Sequence, residues 1–269
     1  MRFFSPNRII EELKILKYYK KANGVYFQDS TFTANRKFVM ELMDNMIKAK
    51  LGLLWSCNTR ADCVDPELLR MMYEAGGRQI AIGVESGSQK SLEFIKKYIS
   101  VEEQTQGIKW MREAGFRCIN SFIICLPNET EDMVNETIRY AKSLRAPTAV
   151  FWLPAPYPGT ELFDICSASG GIRADAAWSD YSSLNFNHPV YINPAFGIEK
   201  MHQLHTRANT SYYLSIITAW EIIRSFRNIE DLRRISQGIL VLLEIMRNSC
   251  VSWAKRIHRN MTSRKRPDR

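Results

Sequence analysis

Five short apolar runs, separated by helical patterns, constrain this chain more than any other feature of it. They are GVYFQD (24–29), LGLLWSCN (51–58), QIAIGV (79–84), CINSFIIC (118–125) and AVFWLP (149–154). Each is too short for a typical helix and lacks strict alternation, the pattern of strands covered on both faces. Their starts lie 27, 28, 39 and 31 residues apart. Helical patterns fill the gaps. Asn35 to Ala49 repeats Phe38, Val39, Leu42, Met43, Met46 and Ile47 on one side, and Asp65-Pro66-Glu67 opens another helix. Gln89 to Lys97 and Val101 to Ala114 share the longest gap, and Thr130 opens Glu131 to Leu144. Strict strand–helix alternation predicts an α/β fold with a parallel sheet and right-handed crossovers. An open doubly wound sheet and a barrel both satisfy it. From about residue 197 the pattern is helical only, at Ile198–Phe226 and Ile229–Met246, and predicts a helical appendage.

The 269 residues are 45% hydrophobic, enough for a full core in one domain, or one with an appendage. The formal net charge is +9 but uneven: from Arg247 onward eight Lys and Arg stand against one acid, Asp268. Such a tail is a solvated end, or a contact for nucleic acid or an anionic membrane face; no specific nucleic-acid partner is expected. Six cysteines, at 57, 63, 118, 125, 166 and 250, include no C-x-x-C pair. Met1-Arg2-Phe3 runs straight into a polar, helix-like stretch, unlike a secretory leader. A cytoplasmic protein with reduced cysteines is expected. No apolar run reaches the roughly 18 residues of a membrane span; the best candidate, Tyr212 to Ile223, is interrupted by Glu221.

In parallel α/β folds the loops leaving strand C-termini build the site. Here they carry Asp29-Ser30-Thr31, Cys57-Asn58-Thr59-Arg60, Glu85-Ser86-Gly87, Pro127-Asn128-Glu129-Thr130 and the proline-rich stretch from Pro154 to Thr160. Acids and hydroxyls suit an ammonium or a ribose, and an arginine suits a carboxylate. Each residue alone also has a structural explanation: Asp29 and Thr130 as helix caps, Ser86 as a cap near Gln89, Arg60 as a partner of Asp62 or Asp65. Acid–base chemistry by Asp29, Glu85 and Glu129 in an unrelated barrel is a competing reading. His202 and His205 sit three apart on a helix, without an evident third metal ligand.

In order and spacing, FQDSTFT (27–33), WSCNTRAD (55–62), GVESGS (83–88), PNET (127–130) and PYPGTEL (156–162) resemble the radical S-adenosylmethionine superfamily. The branch resembled is the one whose members often carry a cobalamin-binding domain ahead of the radical domain. The likeness covers roughly residues 1 to 180, and HTRANTSYYL (205–214) resembles that branch's C-terminal extension. It implies a partial (β/α) barrel with about five of six parallel strands over residues 1–196, a helical extension over 197–246 and a basic tail over 247–269. It implies S-adenosylmethionine on a 4Fe-4S cluster, 5′-deoxyadenosyl radical chemistry and, with cobalamin, methyl transfer or carbon-centred rearrangement of a small-molecule substrate. The hard chemistry would be the cofactors' own. By the same resemblance Asp29 approaches the ligand's amino group and Arg60 its carboxylate. Glu85 and Ser86 meet its ribose or methionine end, and the strand from Phe122 to Cys125 lies along the adenine. Tyr157 and Thr160 shape the substrate side.

The family's C-x-x-x-C-x-x-C loop has no counterpart among the six cysteines. RFFSPNRIIEEL (2–13) resembles the segment just after that loop, so the chain is expected to begin inside the domain. The first strand and the three cluster thiolates would then be absent from it, and an upstream polypeptide or a cobalamin-binding domain is the expected partner. No catalytic residue and no metal ligand is assigned. Ser30 stands where the family often has a second acid, and Cys125 and Asn128 replace glycines of its G-x-P-G-E-T turn. Two functions follow: a radical enzyme domain, inactive as an isolated chain, or a non-catalytic remnant keeping the barrel as a binding or scaffold module. GVYFQD is expected at an exposed sheet edge.

Overall fold

The computed structural model describes residues 4–182, 185–186 and 188–225. The expected helix Ile229–Met246 and the basic tail lie outside the described residues. All five apolar runs contain strands: β1 (Gly24–Phe27), β2 (Leu54–Thr59), β3 (Gly77–Glu85), β4 (Arg117–Ile123) and β5 (Thr148–Trp152). They form one sheet in the order β1-β2-β3-β4-β5, with β1 to β4 paired in parallel. Spatial order follows chain order, so every crossover steps the same way. A doubly wound sheet reverses direction once; this winding is the partial-barrel type.

The helices are α1 (Pro6–Tyr18), α2 (Arg36–Ala49), α3 (Pro66–Glu74), α4 (Gln89–Phe94), α5 (Val101–Glu113), α6 (Glu131–Ser143), α7 (Glu161–Ala168), α8 (Gly197–Tyr213) and α9 (Ile216–Arg224). Their starts follow local chemistry. Asn35 and Asp65 accept from the amides of Phe38 and Leu68, and Pro66 occupies the first turn of α3. Ser100 and Glu103 close a reciprocal box at the start of α5.

The chain divides into two compact units. The first holds residues 4–122 and Asn135–Val150, and its sheet has two unlike faces. On one, Trp55, Cys57, Ile80, Ile82, Val84, Cys118 and Phe122 are buried. On the other, Tyr26 stands opposite Ser56, Asn58 opposite Ala81, and Gly83 opposite Ser121. These residues are half-buried or exposed. The runs predicted to be covered on both faces are therefore covered on one; the other face is mixed, with Ser56, Asn58, Ala81, Gly83 and Ser121 beside the larger Tyr26, Leu54 and Ile119. The helices cover the first face: α2 contributes Val39, Leu42 and Met43, α3 contributes Leu68, Leu69 and Met72, and α5 contributes Ile108 and Met111.

The second unit holds Ile123–Val134 and the described residues from Phe151 onward. Cys166, Val190 and Tyr191 form its buried cluster, with Leu162, Ile172 and Tyr181 packed against it. Helix α8 buries Met201, Leu204, His205, Ala208, Asn209 and Tyr212, one stripe at helical spacing. The helix predicted from Ile198 to Phe226 is in fact two. Ser215 accepts from the amide of Thr218 at 3.1 Å and starts α9 afresh. Helix α7 was not predicted. No helix among the described residues is long and apolar enough to cross a membrane.

Candidate functional site

The site is built where β1, β2 and β3 end. Asp29 is exposed beyond β1. The Asn58 side chain donates to the Asp29 carbonyl at 3.3 Å and accepts from the Tyr26 hydroxyl, so β2 fixes the course of the loop that carries Asp29. Beneath it the Thr33 and Thr59 hydroxyls pair in a buried contact. Arg60 grips Asp62 with two bonds, at 2.9 and 2.7 Å, and its second amino group donates to the Lys97 carbonyl at 3.1 Å. The bonds to Asp62 raise the Arg60 guanidinium above its ordinary value. Burial pushes the Asp62 carboxyl up, but the Arg60 bonds outweigh it and hold the group below the usual range.

Glu85 is placed by three local devices. A bulge between Gly83 and Glu85 shifts the register, so that Gly83 faces Ser121 while Glu85 faces Phe122; bulges re-aim side chains at strand ends. Glu85 itself adopts φ 69°, the left-handed region that favours glycine. Finally, the bare Cα of Gly83 makes room for the returning carboxylate: a Cβ there would overlap Glu85 Oε1. The carboxylate accepts from Lys97 Nζ at 3.3 Å, with side-chain exposures of 21% and 15%. Lys97 lies between Lys96 and Tyr98, both left-handed at φ 55° and 50°. That kinked turn offers its carbonyl to Arg60 and its ammonium to Glu85. Arg60 and Glu85 are thus joined through one residue. Lys97 carries no motif of its own, lies 12 residues from Glu85, and was missed by sequence reasoning.

Ser86 is fully buried, and its hydroxyl is engaged internally. It pairs with Thr137 Oγ1 at 2.9 Å and accepts from the Ser88 amide at 3.1 Å, while the Gly87 amide donates to Thr137 at 3.0 Å. The turn after Glu85 is thereby clasped to α6, and a Cβ at Gly87 would press into Tyr140, 2.9 Å from its Cδ1. Ser86 orders this turn rather than capping α4 by a side-chain bond; the cap position is Ser88.

The remaining candidates lie in the second unit. Cys125 is buried just past β4 with φ 69°, so a cysteine occupies a glycine-like conformation. Burial first, and then Glu129, push its thiol up. Glu129 itself accepts from the Leu126 amide at 3.0 Å. Tyr157 is exposed, donates to the Tyr181 carbonyl at 2.8 Å and stacks on the Tyr181 ring. Thr160 accepts from the Phe163 amide at 3.2 Å as the cap of α7, and donates to the Tyr157 carbonyl at 2.7 Å. His202 and His205 point to separate carbonyls, those of Phe186 and Phe151.

The described cysteines do not fit an iron–sulfur cluster. No group of three or more His, Cys, Asp and Glu among the described residues is arranged to hold a metal. Burial pushes the Cys57 and Cys118 thiols up to about 12, and so keeps them protonated, whereas a cluster takes thiolates.

These features define a parallel α/β protein whose polar groups gather on one sheet face and along its C-terminal edge. The chain belongs to the radical SAM superfamily, whose family pattern matches residues 1–141. It is 32% identical over 213 residues to an uncharacterized methyltransferase of Pyrococcus horikoshii, covering 79% of this chain and 46% of the relative. It is 31% identical over 193 residues to an anaerobic magnesium-protoporphyrin IX monomethyl ester cyclase of Cereibacter sphaeroides, covering 70% and 31%. The chain thus spans less than half the length of these relatives. Among solved structures, it resembles the radical S-adenosylmethionine methyltransferase TsrM from Kitasatospora setae, which was solved with cobalamin and a 4Fe-4S cluster bound. That match has a TM-score of 0.56 and 18% identity, covering 62% of this chain and 32% of TsrM. This likeness establishes the shared fold.

Proposed function

We propose that this chain forms the adenosyl-binding part of a radical S-adenosylmethionine enzyme, of the kind that transfers methyl groups or rearranges carbon with cobalamin. The observation that carries this reading is the construction at Glu85. A bulge, a left-handed residue and a missing Cβ hold a carboxylate beside the Lys97 ammonium, with Arg60 tied to the same turn. The ligand is a zwitterion bearing a ribose, and its ends need anionic and cationic partners. Asp29 and Glu85 would take the ammonium and the ribose hydroxyls; Arg60 and Lys97 would take the carboxylate. Ser86 would act through the turn it orders, and Cys125 by shaping the turn after β4. Tyr157 and Thr160 would border a small-molecule substrate. S-adenosylmethionine, when bound, would supply the 5′-deoxyadenosyl group for radical chemistry. Thiolates for the cluster, and any cobalamin site, would come from a separate polypeptide segment, with the whole assembly in the cytoplasm.

Calorimetric titration with S-adenosylmethionine tests this reading. Binding that weakens in Glu85→Gln and Arg60→Ala is expected, and no binding overturns it. The dispersed, protonated thiols favour a second reading, a binding module without turnover. Anaerobic iron–sulfide reconstitution of the chain followed by an assay for 5′-deoxyadenosine separates the two. No product from this chain alone is expected, and its formation would refute the assignment of the cluster thiolates to another segment.

A further inference from the structure

Helix α9 is inside out. Its buried residues are polar: Thr218 is 1% exposed and Glu221 9%. Its exposed residues are large and apolar, with Ile216 at 88%, Trp220 at 58% and Ile223 at 63%; Leu214, at 66%, precedes its cap. Ile216, Trp220 and Ile223 follow the i, i+4, i+7 spacing that lines side chains along one helix face. Contiguous apolar surface of this kind marks a contact with something else.

Charge indicates what that something is. The one acid of α9, Glu221, lies on the buried face, and the exposed end carries Arg224. From Arg247 the sequence places eight Lys and Arg against one acid. An acid-free apolar stripe containing tryptophan, with a cationic stretch further along the sequence beyond a charge-balanced segment (three acids and three arginines over 226–246), combines the two attractions that hold a protein on an anionic bilayer. At nine residues, α9 is too short to span, so it would lie in the membrane plane. We propose that the exposed face of α9 seats in the interface of an anionic phospholipid membrane, the net positive charge of residues 247–269 adding electrostatic attraction. The proposal is independent of the adenosyl-binding reading.

Flotation of the full chain with phosphatidylcholine vesicles, with and without phosphatidylserine, tests it. Binding to the anionic vesicles alone is expected. It should weaken with salt, because each cation near the surface contributes about fivefold. The combined exposed substitutions Ile216→Ser, Trp220→Ser and Ile223→Ser should cut partitioning about tenfold or more. Changing the Lys and Arg of 247–269 to Gln should abolish the preference for phosphatidylserine. No binding, or binding unchanged by the serine substitutions, overturns the proposal. So does a Trp220 side chain already shielded from acrylamide without vesicles. Sedimentation velocity then tells whether a second copy, rather than residues 226–246 of the same chain, provides that cover.

Discussion

Replacing Gly83 by alanine should separate the site from the fold. The three atoms nearest a new Cβ all belong to the Glu85–Lys97 pair: it would overlap Glu85 Oε1 and lie 3.3 Å from Lys97 Nζ and 3.4 Å from Glu85 Cδ. These are the far ends of flexible side chains, so the backbone need not move. Gly83 has no left-handed φ to forfeit, and alanine for glycine at such a position gains about 0.5–1 kcal/mol. Breaking a partly exposed ion pair costs about 1 kcal/mol or less. The two effects nearly cancel, leaving stability within about 1 kcal/mol of the parent. Ligand binding has no such compensation. Glu85 is swung off its position, and hydrogen bonds to charged groups contribute about 1.5–3 kcal/mol. Affinity for S-adenosylmethionine should therefore fall roughly ten- to hundredfold. Urea denaturation and calorimetric titration on the same preparations measure both quantities. Unchanged affinity, or a stability loss above about 2 kcal/mol, would refute the reasoning.

Three further outcomes are expected. Gly107→Ala offers no such escape, because its Cβ would overlap the Ala61 carbonyl oxygen and lie 2.8 Å from the carbonyl carbon; a loss of about 2–3 kcal/mol in urea denaturation is expected. Thr137→Val strips the buried Ser86 hydroxyl and Gly87 amide of their shared partner, which should cost about 2 kcal/mol and speed hydrogen exchange at Gly87. Burial holds the His205 imidazole down at about 4 against an ordinary 6.5. Between those values the unfolded chain binds a proton that the folded chain does not, so stability falls as pH drops through this window. The loss from pH 7 to pH 5 should be about 2 kcal/mol, and denaturation curves of His205→Gln should show a flatter dependence.

The strands were legible because each is a compact apolar run, and the cap at Asp65 because its chemistry is local; the caps at Asn35 and Ser100 came from the structure. The winding was not, since alternation alone permits two sheet orders. The break at Ser215 hid inside a continuous helical pattern, although a serine directly ahead of Ile216 is itself a capping signal. At the site, Asp29, Arg60 and Glu85 stood out by lying at strand ends. Lys97 did not, because it reaches Glu85 only through a left-handed turn, and Thr137 did not, because it meets Ser86 from 51 residues away. Contacts that depend on packing between distant segments leave no periodic trace.

The unequal faces of the sheet carry a consequence for whatever rests on the open side. Between the larger Tyr26, Leu54 and Ile119, its patch of Ser56, Ala81, Gly83 and Ser121 has short side chains with few torsions to immobilise. A guest settling there would freeze little motion in its host, so most of the attraction would survive as affinity.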